Sequence, residues 1–341
     1  MITIGIKALN EERHIAAALA SARAALAALP GGMTGAVVLA DSCSADRTVA
    51  IAQGVPGVRI VQLAHAAERC CGAGAQLAFQ AAAGDYFYLL DGDMELDPGF
   101  LPAGIAFLEA NPGHAGVAGR VTEMNVAGIE FELRRHESNN TVAAAGEDVT
   151  RLDCGGLYRV AAVRQVGWFG DRNLHSFEEF DLGARLRAVG WRLARIDVPA
   201  VAHHGHTLPA LPLMWRRLRT GYAGGAGEVV RGAIGRAHMR LVFSDFVQLR
   251  YAVVVMGWWA MLLACLLAGA PGLFAGLLAL PFAFLTWRRG GWRLGAYSMA
   301  VWNFQTVGFL MGIVRARVNP AQPLEMIDCS NPGTPAAPHN T

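Results

Sequence analysis

Short apolar runs recur through the first third of the chain, each closed by polar residues, with alanine-rich stretches of helical length between them. Residues 2–9 (ITIGIKAL), 36–40 (AVVLA), 58–63 and 86–90 (YFYLL) have the composition of buried strands. A strand covered on both faces is continuously apolar rather than alternating. Helices are expected over 13–29, ending at Pro30-Gly31-Gly32, then over 46–53 and 72–83. Strands and helices alternating at this spacing predict βαβ units and a parallel sheet.

Three of these strands run into acidic turns: Asn10-Glu11-Glu12, the stretch from Asp41 to Asp46, and Asp91-Gly92-Asp93. Ligands of open α/β sheets bind outside the carboxyl ends of the strands, so acids at these ends converge on one candidate site. Asn10 is placed to cap the following helix, with acids in its first turn favoured by the dipole. Asp91 and Asp93 flank one glycine, in a turn that can aim both carboxylates at one point. Hard oxygen ligands of this kind suit Mg²⁺ or Mn²⁺, which in turn neutralise a diphosphate. Asp-Gly is equally a common turn pair.

Beyond residue 110 a strand is expected over 115–122, while 123–150 shows no clean period. Residues 153–160 (DCGGLYRV) form a glycine-containing strand, and Glu178, Glu179 and Asp181 open a helix whose other face is Leu182, Leu186 and Val189. Acids at a helix start are ordinary, because anions favour that end. A strand over 193–202 ends in His203-His204-Gly205-His206. An imidazole there can complete a Mn²⁺ site begun by a carboxylate, or it is a plain surface histidine.

The last third changes character. Trp215-Arg216-Arg217-Leu218-Arg219 precedes a glycine-rich bend at 221–227. These arginines suit phosphates of a ligand or anionic headgroups of a membrane, and both readings stay open. Residues 251–269, 271–287 (with Pro281) and 295–314 (with Asn303 and Gln305) are uncharged apart from their edges. About 20 apolar residues cross a bilayer. Arg231, Arg236, Arg240 and Arg250 precede the first segment and Arg288, Arg289 and Arg293 follow the second. By the positive-inside rule both flanks are cytoplasmic. A third span would put Arg315 and Arg317 outside, against that rule; three spans are expected nonetheless, with a re-entrant or interfacial segment as the other arrangement. The tail 319–341 reads as disordered.

Composition agrees with this division. Of 341 residues 53% are hydrophobic and 16% charged, against about 25% charged in average soluble domains. The net charge of +2 neither favours nor excludes nucleic acid, and the basic clusters flank apolar segments, so nucleic acid is not an expected partner. Six cysteines without metal-type spacing read as reduced thiols of a cytosolic setting. The opening Met1–Ile6 lacks a basic n-region and reads as a first strand rather than a signal peptide.

The order ALNEE, LADSCSADRT, RCCGAGAQLAFQAAAGDYFYLLDGD resembles the nucleotide-binding half of glycosyltransferase family 2, with its GT-A fold. HSFEEFDLGARLRAVGWRL resembles that family's acceptor-side signature E-D-x-D-L-x-x-R-L-x-x-x-G. The resemblance implies inverting transfer from a nucleotide-diphosphate sugar; a UDP-sugar is the expected donor, with a GDP-sugar as the alternative. It implies that Asn10 and Glu11 line the nucleotide pocket, that Asp41 holds base or ribose, and that Arg69 is the basic residue before the third helix. Asp91 and Asp93 match the D-x-D motif, with Asp93 the firmer ligand for Mn²⁺ or Mg²⁺. His204, then His206, matches a histidine that joins the metal or leaving diphosphate. The general base falls on Glu179, with Glu178 competing. Where the family has D-D-G-S, the second Asp is Ser42 and the Gly is Cys43.

These readings add up to an α/β, Rossmann-like, mostly parallel GT-A domain over 1–210, an amphipathic or interfacial connector over 211–250, two to three transmembrane helices over 251–318, and the tail. The expected setting is the inner (plasma) membrane with the catalytic domain cytoplasmic. The expected acceptor is lipid-linked or a membrane-proximal glycan, in polysaccharide or glycolipid assembly. Loading of a polyprenyl-phosphate carrier is the alternative within the enzyme class, with Arg216, Arg217 and Arg219 as its basic acceptor pocket. A non-catalytic scaffold of a polysaccharide export complex is the alternative outside it. A processive synthase is disfavoured by the absence of a Q-x-x-R-W motif.

Overall fold

The computed structural model describes residues 1–125, 146–153, 155–205 and 209–331. The chain divides into two compact units. The first takes residues 1–126, 141–207 and 317–341, and the second residues 127–140 and 208–316.

The first unit is built on one mixed sheet. Strands β1 (Ile2–Ala8), β2 (Gly35–Asp41), β3 (Val58–Leu63) and β4 (Tyr86–Asp91) lie in the order β3-β2-β1-β4, all parallel. Helices α1 (Ile15–Ala27), α2 (Thr48–Gln53) and α3 (Cys71–Gln80) connect them. The expected βαβ half is therefore present. The order reverses at β1, whose neighbours β2 and β4 lead away on either side, and this is where α/β sheets bind ligands.

Beyond β4 the sheet ceases to be parallel. After β5 (Met94–Leu96) and α4 (Phe100–Ala110) come β6 (His114–Glu123), β7 (Glu147–Asp148), β8 (Gly156–Arg159), α5 (Val160–Gln165), α6 (Glu178–Ala188) and β9 (Arg192–His203). Strand β8 enters between β4 and β6, antiparallel to both, while β9 runs parallel to β6 and antiparallel to β5. At Gly155 the backbone is left-handed (φ +91°) and packs on β4, where a Cβ would sit 2.9 Å from the Leu89 carbonyl and 3.0 Å from the Tyr88 hydroxyl. Close packing accounts for the glycine here.

Alternation along the strands sorts side chains onto two cores. Ile2, Ile4 and Ile6 with Tyr86, Tyr88 and Leu90 face the core under α1 and α4. Phe87 and Leu89 face the core under α3 and α6, with Leu77, Leu182 and Leu186. Lys7 and Asp91, one residue past that apolar register, are paired across β1 and β4.

Residues 319–331 depart from the expected disorder. Strand β10 (Met326–Asp328) adds antiparallel to β3 at the sheet edge, and Leu324 and Cys329 are buried. Gln80 donates to the Leu324 carbonyl (2.8 Å) and accepts from its amide (2.9 Å). The segment bonds in along its length, which its composition does not announce; residues 332–341 lie outside the described residues.

In the second unit the connector forms three short helices, α7 (Ala210–Arg219), α8 (Gly225–Ala233) and α9 (Met239–Asp245). Helices α10 (Val247–Leu267), α11 (Pro271–Arg288) and α12 (Trp292–Val314) follow. Among the described residues α10 and α11 are the two long and apolar enough to cross a membrane. Pro281 inside α11 cannot donate to the Leu277 carbonyl; the Trp258 indole N–H of α10 donates to it instead (2.8 Å).

Candidate active site

The end of β2 meets the end of β1 in a web of polar contacts. Asn10 takes a left-handed backbone (φ 59°), a conformation Asn tolerates better than most residues. It does not cap α1, which starts later, behind His14. Its amide donates to Ser44 Oγ (2.8 Å) and its Oδ1 accepts from Ala45 N (2.7 Å). Glu11 N donates to Thr48 Oγ1 (2.8 Å). These two residues knit the strand ends together, and the Glu11 side chain lies against Gly92.

Asp41 is wholly buried at the end of β2. Its Oδ2 accepts from Ser44 N (2.9 Å) and from Gln62 Nε2 (2.8 Å). Its Oδ1 has no partner among the described residues. A buried acceptor left without a donor costs about 1–3 kcal/mol, a cost that a bound donor group removes. Cys43, where the family pattern has Gly, is left-handed (φ 60°), which is why glycine suits that position. Burial pushes the Cys43 thiol up, Asp41 adds to this, and the Arg69 guanidinium opposes it. Arg69 itself is exposed, its Nε donating to the Ala66 carbonyl (3.0 Å).

The Asp91-Gly92-Asp93 turn divides its two carboxylates between two cations. Asp91 Oδ1 lies 3.3 Å from Lys7 Nζ, which sits 2.6 Å from Glu178 Oε1. Burial raises the Asp91 carboxyl, Lys7 pulls it back, and Asp93 and Glu178 add to the rise. Asp93 Oδ2 lies 3.5 Å from His203 Nε2, and His203 Nδ1 lies 3.0 Å from Glu123 Oε2. Hydrogen bonds to Asp93 and Glu123 push the His203 imidazole up to about 10.

His204, the histidine expected at this site, is turned away. Its amide donates to the Asp93 carbonyl (3.0 Å), but its ring bonds Glu95 Oε1 (2.7 Å) and stacks on His14 at 5.0 Å. The chain alternates faces as it leaves β9, so His203 rather than His204 lies beside Asp93. His206 lies outside the described residues.

The donor set Asp93 and His203 fits a divalent cation of the Mn²⁺ type, a carboxylate with an imidazole. Glu123 on the far nitrogen supplies the carboxylate–histidine pairing that orients metal-ligating imidazoles. No group of three or more metal-ligating side chains occurs among the described residues. Two protein ligands leave room for diphosphate oxygens, as Mg²⁺-type sites with phosphate substrates do.

The third side of the site is the start of α6. Phe177 is left-handed (φ 66°) and delivers the chain to Glu178 and Glu179 in the first turn. Glu178 is 3% exposed and committed to Lys7. Glu179 stands partly open, its carboxyl pushed well up by burial and by Glu178. The rest of the signature is anchoring: Arg185 pairs with Asp181 (2.8 Å) and donates to the Trp168 (2.6 Å) and Phe169 (2.7 Å) carbonyls. The preceding loop is thereby fixed to the helix that carries the acids.

The structure thus brings together Asp91, Asp93, Glu178 and Glu179, with Asp41, Asn10 and Glu11 at the adjoining strand ends. Sequence reasoning missed Lys7, Glu123 and His203. Lys7 had a signal, a cation near the end of an otherwise apolar strand.

The Glycosyl transferase family 2 profile matches residues 3–167, and that of Glycosyl transferase family group 2 matches residues 86–313. Glucomannan 4-beta-mannosyltransferase 7 of Arabidopsis thaliana is 29% identical over 126 residues, 33% of this chain and 21% of that protein. A probable glucomannan 4-beta-mannosyltransferase 9 of Oryza sativa subsp. japonica is 29% identical over 120 residues, 32% of this chain and 22% of that protein. The chain spans about a fifth of the length of these curated relatives. Among solved structures, a mannosyltransferase of Pyrobaculum calidifontis in complex with GDP-Man and Mn²⁺ superposes with a TM-score of 0.58 at 17% identity, covering 91% of this chain and 86% of that one. TarS of S. aureus gives 0.53 at 15% identity, covering 72% of this chain and 43% of that one. These likenesses show the GT-A fold, and with the second profile running over more than half of the chain, the protein belongs to glycosyl transferase family 2.

Proposed function

We propose that the protein is an inverting, metal-dependent glycosyltransferase that moves a sugar from a nucleotide-diphosphate donor to a hydroxyl of a membrane-proximal or lipid-linked acceptor. The observation that carries this is the convergence at the β1/β4 switch point of Asp93 with His203 and of Glu179 with the Lys7–Glu178 pair. The acceptor oxygen attacks the anomeric carbon opposite the diphosphate, whose bond to that carbon breaks as the acceptor proton passes to the Glu179 carboxylate. A divalent cation held by Asp93 and His203 would supply Lewis-acid neutralisation of the diphosphate. Glu178, locked to Lys7, is the poorer base, and a carboxyl raised toward neutrality is the better one.

A base of this kind serves a hydroxyl acceptor; a polyprenyl-phosphate acceptor is already ionised and has no need of it. The sequence put UDP first among donors. The curated relatives are mannosyltransferases by name, so mannosyl donors stand beside UDP-sugars.

Nucleotide release from UDP-, GDP- and dTDP-sugars by detergent-purified protein, with and without Mn²⁺, tests the proposal. Metal-dependent release from one donor, lost in Asp93→Ala, is the expected result. Release that survives Asp93→Ala undiminished contradicts it.

A further inference from the structure

The chain that follows α12 does not leave the molecule but lies along the loop that carries the acids of α6. We propose that residues 317–324 are a strap that positions loop 168–177 for the transfer step, with Arg317 of the strap and Asn173 of the loop as the positioning residues. This rests on the reading of Glu179 as the base.

The loop is held from two sides. On the α3 side, Gly72 N donates to the Leu174 carbonyl (2.8 Å) and Cys70 Sγ to the Arg172 carbonyl (3.1 Å). Gly72 and Gly170 approach so closely that a Cβ on either would strike the other's strand of backbone. On the opposite side the strap supplies partners to Asp171, Arg172 and Asn173. Arg317 pairs with the buried Asp171. Asn173 Oδ1 accepts from Val318 N (2.8 Å) and its Nδ2 donates to the Val318 carbonyl (3.0 Å). Arg172, also buried, donates from Nη1 to the carbonyls of Gln322 (3.0 Å) and Pro323 (3.1 Å) and pairs with Glu68.

The strap has its own footing. Gln80 holds both backbone groups of Leu324, β10 pairs with β3, and Cys329 N donates to the Ile60 carbonyl (2.8 Å). Loop 168–177 is therefore clamped between α3 and a fixed segment from the far end of the sequence. It ends at left-handed Phe177, immediately before Glu178 and Glu179. A displacement of about 1 Å at a catalytic group is enough to cost roughly 10²-fold in rate. A segment that sets the path of this loop therefore sets the position of the base without touching substrate.

The test compares wild-type protein with Asn173→Ala, Arg317→Ala and Arg317→Lys. The readouts are kcat, calorimetric donor affinity, and hydrogen exchange of amides in 168–177. Both alanine variants are expected to lose at least about tenfold in kcat, with donor affinity unchanged and faster exchange confined to the loop. Arg317→Lys, which keeps a cation for Asp171, is expected to recover most of the rate. Asn173→Ala removes no charge and serves if Arg317→Ala does not fold. Wild-type kcat and exchange in both alanine variants would overturn the strap while leaving the transferase reading intact. If the wild type releases no nucleotide from any donor, that reading fails, and unchanged loop exchange then overturns the strap separately.

Discussion

Glu179 and His203 carry raised pKa values for different reasons, and both shifts move the functional, deprotonated form to higher pH. Burial and the neighbouring Glu178 raise the Glu179 carboxyl. A base works only when deprotonated, so kcat is expected to climb with pH through that raised value rather than through the ordinary carboxylate range near 4.3. Glu179→Gln should abolish the ascending limb and cost about 10²–10⁴ in kcat, read from pH–rate profiles of both proteins. His203 is held protonated by Asp93 and Glu123, up to about pH 10. Ligation by Nε2 needs that proton released, so Mn²⁺ affinity is expected to strengthen as pH rises. His203→Ala should lose most Mn²⁺ binding, and Glu123→Gln about 10–100-fold. His204→Ala should stay close to wild type, since that ring faces Glu95 and His14. Titration of free Mn²⁺ by electron paramagnetic resonance separates the three. Equal losses at His203 and His204 would contradict the assignment.

At the scale of elements, strand identity was readable because β1 to β4 are covered on both faces and so are apolar throughout. Acidic ends followed from the same pattern. What could not be read was anything set by partners distant in sequence. Lys7 becomes a site residue only because β1 and β4 pair in a register that places it beside Asp91. His203 is preferred to His204 by the face on which β9 ends. Asn10 resembles a helix cap in one dimension, yet its left-handed backbone is spent on stitching to the β2 turn. Residues 319–331 look disordered by composition and are ordered by an edge strand, a glutamine and a loop that lie elsewhere in the sequence. Pro281 was similarly ambiguous. It would weaken a solitary apolar helix, but the Trp258 indole satisfies the carbonyl it frees, the device that lets helices in lipid carry proline. In the same way Trp259 Nε1 donates to Asn303 Oδ1 (2.7 Å), giving one of the polar residues of α12 a partner on α10.

For the molecule as a whole, connectivity constrains how a membrane can be met. Residues 1–126, 141–207 and 317–341 belong to one compact unit, and β10 is bonded into its sheet. A chain that leaves one side of a bilayer and returns to a unit on that side crosses an even number of times. Helices α10 and α11 are long and apolar enough for two crossings. Their large apolar side chains, among them Val254, Leu263, Leu267, Leu273, Leu280 and Phe284, are exposed in the protein alone. A third crossing by α12 would strand Arg315 and Arg317 on the far side, away from Asp171, to which Arg317 is paired. The expected topology is therefore a hairpin with its turn at Ala268–Ala270, and with Arg288, Arg289, Arg315 and Arg317 all on the catalytic side, as the positive-inside rule favours. With the native cysteines replaced by serine, Ala268→Cys should react in intact cells with a membrane-impermeant maleimide. Ala321→Cys, which is exposed on the strap, should react only after lysis. Labelling of both from outside would mean three crossings and a strap that cannot reach the catalytic unit. Labelling of neither before lysis would mean that α10 and α11 do not cross, leaving the hairpin as an in-plane anchor.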